Sequence, residues 1–428
     1  MKKSLFTTLA ILFLMGANCS KAPPHLSSQL DHVSALAMVN CDTYLVQPGE
    51  TPLSQRTCLV VANPLRPFMR AFDLSQNQFL LSPMGFSPLA VRANGLTTQL
   101  ASYSTSTQGT VFSYDANLAQ LLAIDARNNG TQPSFSGVAP HPVKNLDKRP
   151  LKIAVANPSG PAPAQILTFN MDGSVESMTY DDSTKQFSTL QQISGPKTGE
   201  VVDVVFDAIT GVYAVLLSET VNNIVTNSVF LKQIVGASGT PPESTIDNVA
   251  NVRLGLGQLN TSTAPAPHLF LMSRDNPTLR TARLDAATLQ IDSTGDNTIT
   301  LKNVLTAIYV PSGDKEQCCA GITEWISASS DDGQVYYLTR NVLQSHAPIT
   351  LDPSLSLSKL LRSGTLSGLV QIVGGDVTLL SGSEAPRGVT VCERQVFYAF
   401  SPGFVVSTCE GDATSATLVV SRDIMEGP

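Results

Sequence analysis

The first residues to test for chemistry in this 428-residue chain are its cysteines and histidines. The cysteines are Cys19, Cys41, Cys58, Cys318, Cys319, Cys392 and Cys409, and the histidines are scattered at 25, 32, 141, 268 and 346. No Cys-x-x-Cys occurs. Tetrahedral zinc sites draw their ligands from closer spacing than this, so no metal is expected. Setting Cys19 apart leaves six cysteines, an even number that in an exported chain points to disulfides. Cys41 to Cys58 and Cys392 to Cys409 are each 17 residues apart, which suits a local hairpin or two neighbouring strands. Cys318 and Cys319 are adjacent, in "DKEQCCAGITEW". They could close a strained, reducible vicinal ring, stiffen a turn or pair elsewhere, and six cysteines leave many pairings open. The stretches "FNMDGSVES", "SSDDGQ" and "DSTGDNT" place Asp near Gly. They lack the alternating oxygen ligands and closing Glu of a calcium loop, and they read as hairpin turns.

Nucleophilic chemistry finds little support. There is no Gly-x-Ser-x-Gly and no His-Glu-x-x-His. "SLSK" at 356–359 and "KTG" at 197–199 resemble two motifs of the serine acyl-transferases. Their order is reversed, and no Ser-Asp-Asn lies between them. "LDPSLSLSKLL" alternates like a strand, which puts Ser356 and Lys359 on opposite faces. The Cys318-Cys319 dipeptide is similar to one in certain quinone-dependent propeller dehydrogenases, which carry such a ring beside their cofactor. That resemblance implies a redox or ligand role near a channel mouth. Those enzymes are rich in tryptophan, whereas Trp325 is the one tryptophan here. No cofactor is expected.

The N-terminus sets the compartment. In "MKKSLFTTLAILFLMGANCSKAPP", two lysines precede an apolar run that is too short for the ~20 residues of a membrane span. The run fits the apolar region of a secretory signal. The stretch ending at Cys19 resembles a bacterial lipoprotein signal, although Gly16 and Asn18 stand where that family usually has Leu and a small residue. The resemblance implies removal of residues 1–18, lipid (palmitate among the chains) on Cys19, and a membrane partner through that lipid. Ser20 implies sorting to the outer membrane. Residues 19–31 then read as a flexible tether. The alternative is ordinary signal cleavage just after Cys19, which gives a free periplasmic protein.

The mature chain would carry 25 basic (27 − 2) and 34 acidic residues, a net charge of −9. Nucleic-acid binding, which needs basic stripes against phosphate, is not expected. With only 14% charged residues and abundant Ser, Thr, Gly, Pro and Asn, the composition suits strands and turns.

The strands repeat. "CLVVANPLRPFMRAFDLSQNQF" (58–79), "IAVANPSGPAPAQILTFNMDGSV" (153–175) and "LFLMSRDNPTLRTARLDAATLQI" (269–291) share a plan of apolar strand, Asn-Pro, second strand and turn. Looser copies begin at 111, 212, 335 and 396. Upstream of these, "EVVDVVFDAITGVYAVLLS", "TEWISASSDDGQVYYLT" and "PRGVTVCERQVFYAF" alternate apolar and polar around a turn, the mark of half-buried strands. Each unit therefore holds about four antiparallel strands, and about 54 residues per unit gives seven units, with six or eight as alternatives. Repeated four-stranded sheets predict an all-β β-propeller filling 32–428 as a single domain. "MGFSPLAVRANG" and "GSEAPRGVTVCERQVFYAF" resemble the Gly-x-x-Pro stretches of YVTN-type and WD-like propellers. The final "ATLVVS" strand is expected to pair with N-terminal material, with the two 17-residue cysteine pairs stapling the ends of the ring. Arg92, Asp203, Arg253, Glu324 and Arg387 flank expected inner strands, so they are the candidates for ligand contact at a channel mouth; the alternative for each is a solvated or paired loop charge. The functional expectation is a binding or scaffolding module in the cell envelope, with a protein or glycan partner. The alternative is a lactonase- or quinoprotein-like enzyme acting in the central channel.

Overall fold

The structure, a computed structural model, describes residues 35–41, 56–62, 68–73, 78–79, 91–92, 96–126 and 141–300 apart from short loop positions. Beyond these it describes the strands at 304–310, 325–330, 335–339, 350–352, 377–380, 394–400, 403–409 and 417–419. Residues 1–34 lie outside this set, and with them the signal, Cys19 and the tether. Cys318, Cys319, Glu324, Ser356, Lys359, Arg387 and Cys392 also lie outside it.

The described strands form seven antiparallel sheets, each made of consecutive strands in chain order. The first holds β1 (Ala35–Cys41), β2 (Arg56–Ala62), β3 (Phe68–Asp73), β4 (Gln78–Phe79) and β5 (Val91–Arg92). The second holds β6 (Thr97–Ser104), β7 (Gly109–Asp115), β8 (Gln120–Asp125) and β9 (Val143–Asn145). The third runs from β10 (Pro150–Val155) through β11 (Ala164–Asn170), β12 (Val175–Asp181) and β13 (Gln186–Phe187), with β14 (Gln191–Ser194) on β12. The fourth is β15 (Glu200–Asp207), β16 (Val212–Val221), β17 (Ile224–Gln233) and β18 (Glu243–Val249). The fifth is β19 (Val252–Asn260), β20 (Pro265–Ser273), β21 (Thr278–Leu284) and β22 (Ile291–Thr300). The sixth is β23 (Val304–Val310), β24 (Trp325–Ser330), β25 (Val335–Thr339) and β26 (Thr350–Asp352). The seventh is β27 (Val377–Leu380), β28 (Arg394–Phe400), β29 (Gly403–Cys409) and β30 (Thr417–Val419).

The first strands touch in succession: β1 meets β6, then β10, β15, β19, β23 and β27, and β27 returns to β1. The sheets therefore stand around an axis with their first strands innermost. The expected clasp is overturned, because β30 pairs with β29 of its own sheet and β1 pairs with β2. Every ladder is already complete within its unit, so the ring closes by packing of β1 against β27 and β28.

Period-two alternation explains why the middle strands read as continuous apolar runs. A sheet between two others buries both faces. On β16, Val212, Ala214 and Leu216 pack toward the fifth sheet, while Tyr213, Val215 and Leu217 pack toward the third. On β8, Leu121 and Ala123 face the third sheet, and Leu122 and Ile124 face the first. The core is thus a series of layers between neighbours, not a single centre.

The Asn-Pro repeats are out of phase. Residues 63–64 and 276–277 fall between the second and third strands of their sheets, but Asn157 and Pro158 fall between the first and second. Asn157 has its own reason to be there: its side-chain oxygen accepts from the Gln165 amide at 2.7 Å. A different motif recurs at the turns. Asp115, Asp181, Asp207 and Asp285 each accept hydrogen bonds from residues two or three positions on. The fourth residue after each has positive φ: Ala119 (52°), Lys185 (55°), Gly211 (66°) and Leu289 (56°). The aspartate satisfies the turn's amides while the left-handed residue redirects the chain into the next strand.

Candidate functional site

Inner strands border the central channel, and each presents an unpaired edge toward its neighbours. Side chains tie some of these edges together. Gln99 on β6 reaches the third sheet: its Oε1 accepts from the Ile153 amide at 2.6 Å, and its Nε2 donates to the Leu151 carbonyl at 2.6 Å. Asn40 on β1 reaches the second sheet, its amide donating to Ser104 Oγ at 2.9 Å and its Nδ2 to the Thr105 carbonyl at 3.0 Å. Asp203 on β15 accepts from the Val204 amide at 2.8 Å and from the Leu254 amide of β19 at 2.8 Å. Gln99 and Asp203 each follow a β-bulge, at Thr97/Gln99 and Val201/Asp203. The extra residue turns the side chain out of its own ladder and toward the adjacent sheet.

This places two of the channel candidates side by side. Asp203 and Arg253 stand on neighbouring inner strands, and the Asp203 carboxylate binds the amide next after Arg253. Arg92 is elsewhere, on β5 opposite Phe68 of the third strand of its sheet. Glu324 and Arg387 lie outside the described residues. Both Asp203 oxygens are engaged in backbone hydrogen bonds, which leaves a holding role. Replacing Asp203 with Ala should cost about 1–3 kcal/mol, since two amides lose their acceptor. Urea unfolding checks this, and a loss under 0.5 kcal/mol, the ordinary surface range, would count against the latch.

The two rims differ. Register puts the start of each first strand beside the turn between the second and third strands: Thr97 opposes Asp115, Pro150 opposes Asn170, and Glu200 opposes Ser218. This leading end carries a charged network. Lys148 Nζ lies 3.0 Å from Asp172 Oδ2 and donates to Ser174 Oγ at 2.8 Å, and Ser174 Oγ donates to Asp172 Oδ1 at 2.5 Å. Asn170 donates to both Ser174 and Glu176. A serine between a lysine and a carboxylate has the parts of a nucleophile, but Ser174 is fully buried and so serves the turn. The opposite, trailing end carries Lys185 between Asp125 (2.8 Å) and Asp182 (2.5 Å). Beside it, Phe112, Tyr180 and Phe187 form an aromatic knot joining the second and third sheets. Among the described residues no group of three or more His, Cys, Asp or Glu side chains could hold a metal ion.

The turn carboxylates predict the acid response. Burial acts to raise the Asp172 pKa, but hydrogen bonds from Ser174 and Lys148 hold it below the usual carboxylate value. The Asp285 pKa is lowered by hydrogen bonds from Thr288 and Ala287. A depressed folded pKa gives stability that is present above the unfolded value and lost as pH falls through the folded one. Asp125 acts in the opposite sense, since burial first and Asp182 second raise its pKa against the pull of Lys185. Its contribution is greatest below the unfolded value and is lost as pH rises through the folded one. Stability should therefore decline as pH falls below about 4, the ordinary carboxylate pKa. Asp172→Asn should make that decline shallower, as urea midpoints across the acid range will test.

In shape, the chain is similar to the BP39L lectin of Burkholderia pseudomallei, with a TM-score of 0.53 at 13% identity over 91% of this chain and 98% of that one. The chain is a β-propeller. Its seven described sheets are blades. YCF48 of Cyanidioschyzon merolae (TM-score 0.44, 12% identity, 92% and 98% covered) and Sqt1 of Saccharomyces cerevisiae (0.44, 12%, 90% and 97%) also match. No family model and no curated protein matches the sequence. At these identities the propeller likeness speaks to fold alone.

The latches Asn40 and Gln99 escaped sequence reasoning. Asn40 is a lone amide side chain in the apolar β1, Gln99 sits among threonines and serines on β6, and their partners, Ser104 Oγ and the Ile153 amide, are 64 and 54 residues away respectively. The apolar residues at the leading-end turns were also missed. A signal for them existed in "TVNNIV", where an Asn-Asn turn is flanked on both sides by apolar residues.

Proposed function

We propose that the protein is a lipid-anchored binding module of the bacterial cell envelope, with an envelope protein or glycan as partner. The observation that carries this reading is the use of inner-strand polar groups. Asn40, Gln99 and Asp203 tie blade one to two, two to three and four to five, so the inner strands serve as a stiff frame that carries the turns between strands. Rigid scaffolds with variable loops are suited to recognition. The trailing-end turns, with Asp182, Lys185 and the exposed residues between them, are the face assigned to the partner. Cys19 supplies the tether, since several acyl chains hold a protein on a membrane durably.

Fractionation tests the tether. Wild-type protein should sediment with outer membranes and need detergent for release, and Cys19→Ala should move to the soluble fraction after dilution and washing. Retention of Cys19→Ala in washed membranes would end the lipid-anchor reading. Crosslinking from Thr184, in the exposed turn after β12, should capture an envelope protein or glycan; bare recovery of the protein alone would end the partner reading.

A further inference from the structure

The exposed large apolar side chains are not spread over the surface. Of the seven among the described residues, Leu118, Leu151, Met171, Val221, Ile224 and Val225 lie at the leading end, and only Val143 lies elsewhere, on an outermost strand. They occupy three successive blades. Leu118 is in the turn after β7, Met171 in the turn after β11, and Leu151 beside the start of β10. Single exposed apolar residues need no explanation, but a grouped set at one end marks a contact surface.

The fourth blade gives this surface a projecting tip. β16 and β17 pair down to Val221–Ile224 around Asn222 (φ 51°) and Asn223 (φ 64°), a two-residue turn of the kind that suits strand twist. The neighbours stop earlier: β15 ends its pairing at Ser218, and β18 at Asn227. The three pairs beyond, Glu219–Thr226, Thr220–Val225 and Val221–Ile224, extend about 10 Å further at strand rise, and all six residues are exposed. Ile224 is 65% exposed and Val225 62%. Exposed charges of both signs, Asp147, Arg149 and Glu219, surround this end, so apolar burial and not charge would hold it.

The direction of the chain says what covers it. β1 starts at Ala35, opposite Ala62, and so at this same end. Cys19 is 16 residues earlier (35 − 19), a reach of at most about 55 Å. The geometry points to the lipid surface itself as the occupant: the leading end of blades two to four rests in the headgroup and acyl boundary, with the 221–225 tip inserted. This inference rests on the proposed Cys19 tether, and it fixes the orientation of the ring, trailing end outward.

The test uses the lipidated full chain in phosphatidylethanolamine–phosphatidylglycerol vesicles containing brominated acyl chains, read as the difference from the wild-type Trp325 signal. Ile224→Trp should emit blue-shifted and lose most of its emission to bromolipid; Thr184→Trp at the trailing end should do neither. The unlipidated Cys19→Ala chain should bind the same vesicles weakly, and Ile224→Ser with Val225→Ser should lower that binding about tenfold or more. A water-exposed, unquenched probe at 224, or equal quenching at 184, overturns the inference, as does crosslinking from 224 to a protein in intact cells. Membrane retention of Cys19→Ala would remove the tether alone, and the probe at 224 would still decide the docking.

Discussion

Truncating Phe112 to Ala should lower stability by about 3–5 kcal/mol, the cost of emptying an aromatic site in a packed core. Phe112 is fully buried on β7, in the layer between the second and third blades. Its ring meets Tyr180 edge-on, with centroids 5.6 Å apart, and Phe187 at 6.3 Å; Tyr180 and Phe187 are 4.9 Å apart. No smaller group can fill that volume without moving three strands. Tyr180→Phe is the control. Among the described residues the buried Tyr180 hydroxyl has no hydrogen-bond partner, so its loss should be neutral within about 1 kcal/mol or slightly stabilising. Urea midpoints of the three proteins decide the matter. A Phe112→Ala loss below that of Tyr180→Phe would mean that these two blades do not pack through this layer.

Reduction, or the paired change Cys41→Ala with Cys58→Ala, should cost about 3 kcal/mol in the chain-entropy account of a loop this size. The bond closes 17 residues, and both cysteines are fully buried between the first and second blades. It ties β1 to β2 inside one blade, the two neighbouring strands that its 17-residue spacing suits. Its place is still informative. β1 is the strand that β27 and β28 must meet, so the bond fixes one side of the joint. Peptide mapping without reductant should find Cys41 joined to Cys58, and unfolding with and without reductant should show the loss. Equal midpoints would contradict the buried cross-link. Cys392 lies outside the described residues, and the second expected pair with it.

How far the sequence led depended on the range of each interaction. Alternation and short turns are local, so the four-stranded unit was legible in segments such as 200–218, where β15 and β16 meet around Gly211. Phase was harder. Asn-Pro marks a turn without saying which turn, and at Asn157 it marked the first instead of the second. The seam was misread because the apolar "ATLVVS" looks the same whether its partner is β29 or β1. Asp203 and Arg253, expected to flank inner strands, fall on β15 and β19, whereas Gln99 could not be read from the sequence, because its task depends on a bulge that no residue type announces. Arg92 lies on β5, a two-residue strand that pairs with β3.

The unbroken run of consecutive strands within every blade has a consequence for rearranging the gene. Among the described residues no hydrogen-bonded ladder spans a boundary, so new termini placed between β14 and β15, with the old ends joined, would leave all seven sheets whole. Such a circular permutant would carry its start beside the fourth blade while keeping the order of neighbours around the ring.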